Sequence, residues 1–302
     1  MSGAVSPAQG RALWSGLLLA GAGSIAFSGK AIIVKLAYRH GVDAVTLIMF
    51  RMLFALPFFL LMAWWAGRGK PALTARDRWA VLGLGFCGYY LASFLDFAGL
   101  QYISASLERL ILYLNPTLVL LMGVLFFKRK VSLRQVLALA VSYAGVLLVF
   151  GHELGEQGPQ AALGGALVLG SAVSYAVYLS YSGHVVQRLG AVRLTGLAST
   201  VACVLCIVQF WLLRPLSVAT QVAPEVITLS LLNATLCTVA PVLMVMMAIE
   251  RVGATLTAQV GMVGPLSTIA MGIVLLGEPL NQWVVAGTAL VLTGVWLLAR
   301  VR

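Results

Sequence analysis

Five charged residues sit inside stretches that are otherwise apolar for the length of a helix: Lys30, Arg51, Asp96, Glu108 and Arg109. A charge in such a segment costs at least ~2.5–3.5 kcal/mol against lipid, so each should face a cavity or a partner. The cations suit a substrate carboxylate, and the acids suit an ammonium group or a coupling proton. Polar and aromatic groups stand beside them at helical spacing: Tyr89, Tyr90 and Ser93 before Asp96, and Tyr113 and Asn115 after Arg109. Tyr175, Tyr178 and Gln259 add to this set from later in the chain. A buried phenol needs a partner for its hydroxyl, which places the tyrosines in a cavity wall or between helices. The expected substrate site is therefore Lys30, Tyr89, Tyr90, Ser93, Asp96, Glu108, Arg109, Tyr113, Asn115, Tyr175, Tyr178 and Gln259. Arg51 and Glu278 are expected as structural charges, with Arg51 weighed beside Lys30 and Arg109 as a carboxylate attractor. A salt-bridge network closing a gate explains the five charges equally well. Neutralising Arg109 or Asp96 is expected to abolish activity without unfolding the chain, and replacing Trp283 to do little.

Catalytic sets are missing. No HExxH, GxSxG or Walker A string occurs, and His40, His152 and His184 fall at the ends of apolar runs, so neither an enzyme nor an ATP-driven pump is expected. The GxGxxG string at Gly83, Gly85 and Gly88 lies in an apolar segment without a βαβ context and suits close helix contact instead. Cys203 and Cys206 fit as small packing residues, and no metal site is expected.

The elements that must position these residues follow from composition. The chain has 302 residues, 61% of them hydrophobic and 10% charged, which is the range of a multi-span membrane protein in a lipid bilayer. Ten apolar spans follow: Leu13–Leu36, Ala44–Ala66, Trp79–Leu100, Ala105–Phe127, Leu133–Gly151, Ala161–Gly183, Leu194–Leu213, Val226–Ala248, Thr255–Leu276 and Gln282–Ala299. The net charge of +11 does not call for a nucleic-acid partner. Arg11, Arg68, Lys70, Arg76, Arg78, Lys128, Arg129, Lys130, Arg134, Arg188, Arg193, Arg251, Arg300 and Arg302 gather on one face, and Lys35, Arg39 and Arg214 on the other. That asymmetry predicts both termini in the cytoplasm and an inner-membrane location.

A shift of 149 residues, with no gap, places Pro265 under Pro116, Leu256 under Leu107, Gly294 under Gly145, Arg188 under Arg39 and Thr195 under Thr46. The chain thus divides into repeats 1–151 and 152–302. Five spans per repeat is odd, so the second repeat enters the membrane inverted, the plan of many secondary transporters with a midplane site. Pro116, Pro241 and Pro265 mark helix breaks that can serve as hinges or as part of the site. The five charges lack charged counterparts: the shift gives Leu179, Thr200, Val245, Thr257 and Ala258.

Phe50-Arg51 with Ala55, the segment Ala98-Leu100-Tyr102-Ile103-Ser104-Ala105, Pro116, Pro265, Gly277-Glu278-Pro279 and the Gly145/Gly294 pair resemble the drug/metabolite transporter superfamily, specifically exporters with two EamA-type repeats. Within it the chain resembles YddG-type aromatic and neutral amino-acid exporters. The resemblance implies an all-α protein of ten transmembrane helices that exports a small molecule, amino acids foremost, by alternating access. It implies no cofactor, leaves proton coupling open and is compatible with a monomer. Phosphorylated or anionic metabolites are the alternative substrates; a channel or intramembrane enzyme is the alternative class. Lys128-Arg129-Lys130 stand where the family usually has an acidic residue, and Asp96, Glu108 and Arg109 where related chains commonly have apolar or small ones.

Overall fold

The computed structural model describes the backbone of residues 7–127, 132–261 and 263–300. The side chains of 7–12, 127, 157, 253–255, 258, 259 and 298–300 are not described. Lys128, Arg129 and Lys130 and the side chain of Gln259 therefore lie outside the described residues. Among those described there are helices and turns and no strand. The order is α1 (Pro7–Tyr38), α2 (Ala44–Gly67), α3 (Ala75–Gly99), α4 (Ala105–Phe126), α5 (Leu133–Gln157), α6 (Pro159–Leu189), α7 (Ala191–Leu213), α8 (Pro224–Val252), α9 (Val263–Leu276) and α10 (Gln282–Arg300). The first eight are long and apolar enough to cross a membrane; α9 and α10 are shorter apolar helices. Large side chains such as Leu125, Trp211, Leu212 and Val274 stay exposed, as a lipid-facing surface requires.

The order of spans follows the hydropathy, but two connections differ. Helix α5 runs to Gln157 and α6 begins at Pro159, so Gly158 at φ +64° is the whole joint. Between α8 and α9 the helical backbone continues from Ala240 to Gly261, where a loop was expected near 249–254. The direction still reverses. Val252 packs on Gly16 and Met244 on Gly23, whereas Val260 packs on Gly21 and Gly264 lies against Ser28.

Packing carries the two-fold relation. Gly16 of α1 receives Arg251 and Val252; on α6 their images Tyr102 and Ile103 pack on Gly164, one residue before Gly165, the image of Gly16. Helix α2 packs on α7, with Gly196 against Ala63, and α5 packs on α10, with Gly145 against Gly287. Two π-helical segments obey the same shift: Phe86–Leu91 in α3 and Thr235–Val239 in α8 begin 149 residues apart. Such one-residue excesses persist mainly at functional sites.

Both matched prolines release a carbonyl. Pro116 cannot donate to Leu112 O, and Asn115 Nδ2 donates there instead at 2.7 Å as α4 breaks at Tyr113–Leu114. Pro265 frees Gly261 O, which accepts from Ser24 Oγ of α1 at 2.8 Å and from Tyr113 Oη of α4 at 3.1 Å. One break is closed locally, and the other ties the two repeats together.

Gly88 allows α3 to touch α6. A Cβ there would lie 2.4 Å from the Tyr178 ring, too close for any side chain. Gly88→Val is expected to destabilise the protein by roughly 1–3 kcal/mol through overpacking. A thermal melt in detergent checks this; an unchanged midpoint would show that α3 and α6 separate without cost.

Candidate functional site

A cavity of about 520 Å³ lies between the repeats, within the usual size of small-molecule sites. Its wall takes Ser24, Phe27 and Lys30 from α1, Arg51, Met52 and Phe59 from α2, and Gly88, Tyr89, Ser93 and Asp96 from α3. Arg109, Tyr113 and Asn115 come from α4, Ser171 and Tyr175 from α6, Thr195 and Ser199 from α7, and Thr238, Pro241 and Val245 from α8.

The charges cluster at one end. Lys30 Nζ pairs with Asp96 and lies 3.4 Å from Glu108 Oε1. Glu108 is wholly enclosed, and neither of its oxygens has a hydrogen-bond partner. The two arginines make no ion pair with a described carboxylate within 4.0 Å. Arg51 Nε donates to Thr238 Oγ1 at 3.0 Å, and the guanidinium stacks over Phe97, 5.1 Å from the ring centre. Arg109 Nε donates to Thr268 Oγ1 at 3.0 Å, with Phe27 below both Arg109 and Lys30 at 5.9 and 5.7 Å. In each case a threonine of the second repeat fixes the inner edge of the fork.

Beyond the cluster the bundle is closed. Gly277, at φ +73°, ends α9 and turns Glu278 back over it. Glu278 then accepts from Ala105 N at 2.7 Å, Ser106 N at 3.3 Å and Ser106 Oγ at 2.7 Å, capping α4 of the other repeat. Gly272 makes room, since a Cβ there would meet Glu278 Oε2 at 2.8 Å. Glu153 holds Ser104, Lys35 reaches Leu100 O and Ile103 O at 3.2 and 3.0 Å, and Tyr38 donates to Phe97 O at 2.5 Å. At the start of α2, Asp43 accepts from Val45 N and Thr46. Burial pushes its carboxyl up, but the Thr46 and Arg214 hydrogen bonds outweigh this and hold it below the usual range. At the opposite end Asp77 of α3 pairs with Arg188 of α6.

The expected residues divide by placement. Lys30, Tyr89, Ser93, Asp96, Arg109, Tyr113, Asn115 and Tyr175 reach the wall, as does Arg51, expected as structural; Pro241 also lines it, while Pro116 and Pro265 act from behind. Tyr90 is not part of the wall and packs on Phe86 at 5.5 Å, because successive helical residues point about 100° apart and Tyr89 holds the inward direction. Tyr178 lies behind Tyr89 and Tyr175, bonding Tyr89 Oη at 3.1 Å and stacking on Tyr175 at 5.5 Å. Glu108 is one layer back, behind Lys30. Phe27, Thr195, Ser199 and Thr238 were not anticipated. Thr238 was within reach, because it is the image of Tyr89 under the 149-residue shift.

Residues 14–151 and 162–300 each match the EamA-like transporter family. Over 269 residues the chain is 29% identical to the uncharacterized transporter YcbK of Bacillus subtilis (strain 168), covering 88% of this chain and 86% of that protein. An uncharacterized transporter of Archaeoglobus fulgidus is 23% identical over 239 residues, 76% of this chain and 82% of its own. A solved crystal structure superposes with a TM-score of 0.63 over 95% of this chain and 99% of its own; at 17% identity this is a likeness of fold.

Proposed function

This chain belongs to the EamA-like transporter family, and from that premise we propose that it exports small metabolites, aromatic and neutral amino acids foremost, by alternating access across the cell inner membrane. The observation that carries the reading is a cavity walled by both repeats, beyond whose charged end Glu278, Glu153 and Lys35 tie the helix ends together. From the cluster it runs along α1 toward Ala20 and along α8 toward Ile249, the end where α1 begins. With both termini cytoplasmic this is an inward-facing state. Substrate enters from the cytoplasm, its carboxylate meets the cations and its apolar body lies among Phe27, Met52, Phe59 and Tyr175.

Release then requires the Glu278 cap on α4 to open while the repeats 1–151 and 152–302 rock about the breaks at Pro116, Pro241 and Pro265. The protein works as a monomer without a cofactor, and Asp96 or Glu108 carries any coupling proton. Glu278→Ala is expected to remove charge-assisted bonds worth roughly 1–3 kcal/mol and bias the protein toward outward opening. Faster labelling of a cysteine placed at Ser106 would register that bias; unchanged labelling would show that Glu278 does not hold this end shut.

Transport is tested in proteoliposomes loaded with unlabelled phenylalanine, by counterflow of labelled phenylalanine beside a phosphorylated sugar. Transient accumulation of the amino acid alone is the expected result. Accumulation of the phosphate ester alone would replace the substrate class, and flux without counterflow would indicate a channel.

A further inference from the structure

We propose that Arg51 and Arg109 form a monocarboxylate subsite and that substrates are recognised as organic monoanions, an α-amino group being tolerated but not read. This deepens the transport reading and rests on it. Among the described side chains that line the cavity or touch a charged one that does, three are cations and two are carboxylates. Lys30 already engages both carboxylates, so the positive charge left over resides on the arginines. Arg51 is only 5% exposed, yet its Nη1 has no hydrogen-bond partner. A buried charge without a counter-charge or a bonded donor is costly.

Asp96 Oδ1 is also unengaged and is, among the described side chains, the carboxylate on this wall that could anchor an ammonium group. Charge balance decides between the two. An ammonium at Asp96 adds to the excess positive charge and a zwitterion leaves it unchanged, whereas a monoanion removes it. Both guanidinium groups are pre-set by their Nε–threonine bonds; Arg51 keeps Nη1 unengaged and Arg109 gives Nη2 only a long 3.5 Å bond to Phe27 O, which leaves donors for the bonds a carboxylate accepts. The rest of the wall suits an aromatic or branched apolar body. Phe27, Met52, Phe59, Val242 and Val245 supply surface, and Tyr89 and Tyr175 supply rings. A sugar phosphate, close to a dianion at neutral pH, would overshoot the single excess positive charge.

The test compares ligands that share one ring and differ in charge. Binding of 3-phenylpropionate, L-phenylalanine, phenethylamine and glucose 6-phosphate to the purified protein in detergent is followed by calorimetry. We expect 3-phenylpropionate to bind about tenfold or more tighter than phenylalanine, with phenethylamine and glucose 6-phosphate not binding. Arg51→Gln should weaken 3-phenylpropionate by about 30-fold, and Arg51→Lys by less, because a point charge replaces the fork. Phenylalanine binding equally or more tightly, phenethylamine or the phosphate ester binding instead, or no binding by any of the four would overturn the subsite. The ligand series needs only the wild-type protein, so a variant that fails to fold leaves the test intact. Counterflow separates the two claims. Exchange of phenylalanine but not of 3-phenylpropionate overturns the monoanion subsite and leaves transport standing; tight 3-phenylpropionate binding with no counterflow of any solute does the reverse.

Discussion

Lys30→Met destabilises the folded protein by roughly 3–5 kcal/mol, the cost of breaking a buried ion pair and leaving its acids without a counter-charge. The cation joins three helices: Lys30 on α1 meets Asp96 on α3 and Glu108 on α4, and all three side chains are buried. Removing it leaves two carboxylates facing each other with no cation between them. The expected readout is a large fall in thermal midpoint in detergent together with loss of the monodisperse species. Glu108→Gln in the Lys30→Met background should restore part of the loss, and a double-mutant cycle measures how much. If Lys30→Met melts with the wild type, this pair does not hold α1 to α3 and α4. The same geometry revises the expectation that Asp96 can be neutralised without a folding penalty, since Asp96→Asn strips Lys30 of its nearer acid.

Arg109→Gln, by contrast, should lower counterflow by about 100-fold at nearly normal stability. Arg109 makes no ion pair within 4.0 Å of a described carboxylate. It loses the bond from Nε to Thr268 Oγ1 and a long one, 3.5 Å, from Nη2 to Phe27 O; the Thr268 hydroxyl keeps a contact to Gly264 O at 3.3 Å, so the folding cost is roughly 1 kcal/mol. What disappears is a charged donor on the cavity wall. Trp283→Phe is the paired control: Trp283 stacks on His152 at 5.9 Å outside the cavity and should transport at the wild-type rate. Arg109→Gln transporting as fast as Trp283→Phe would remove Arg109 from the substrate path.

Hydropathy alone determined the ten apolar helices of the described residues and their order, though not the five-residue helix Leu216–Thr220 between α7 and α8, because an apolar run of membrane length has few other ways to bury itself. The 149-residue shift determined the duplication, and it held down to the π-helical segments at Phe86 and Thr235. The costly residues were equally legible, since a charge or proline inside an apolar run stands out whatever surrounds it. Tertiary structure alone decided which charges pair. Lys30 takes both acids and leaves the arginines to threonines of the other repeat, a choice set by lateral distance between helices far apart in sequence. It also decided that Tyr89 faces the cavity and its neighbour Tyr90 does not: successive helical residues point about 100° apart, and only the rotation of α3 in the bundle says which of the two looks inward. Glu278 could be seen as a charge after α9 but not as the cap of α4, since its partners lie 172 and 173 residues away. Periodicity records how each helix divides apolar from polar; how the helices rotate and approach one another is written only in their packing.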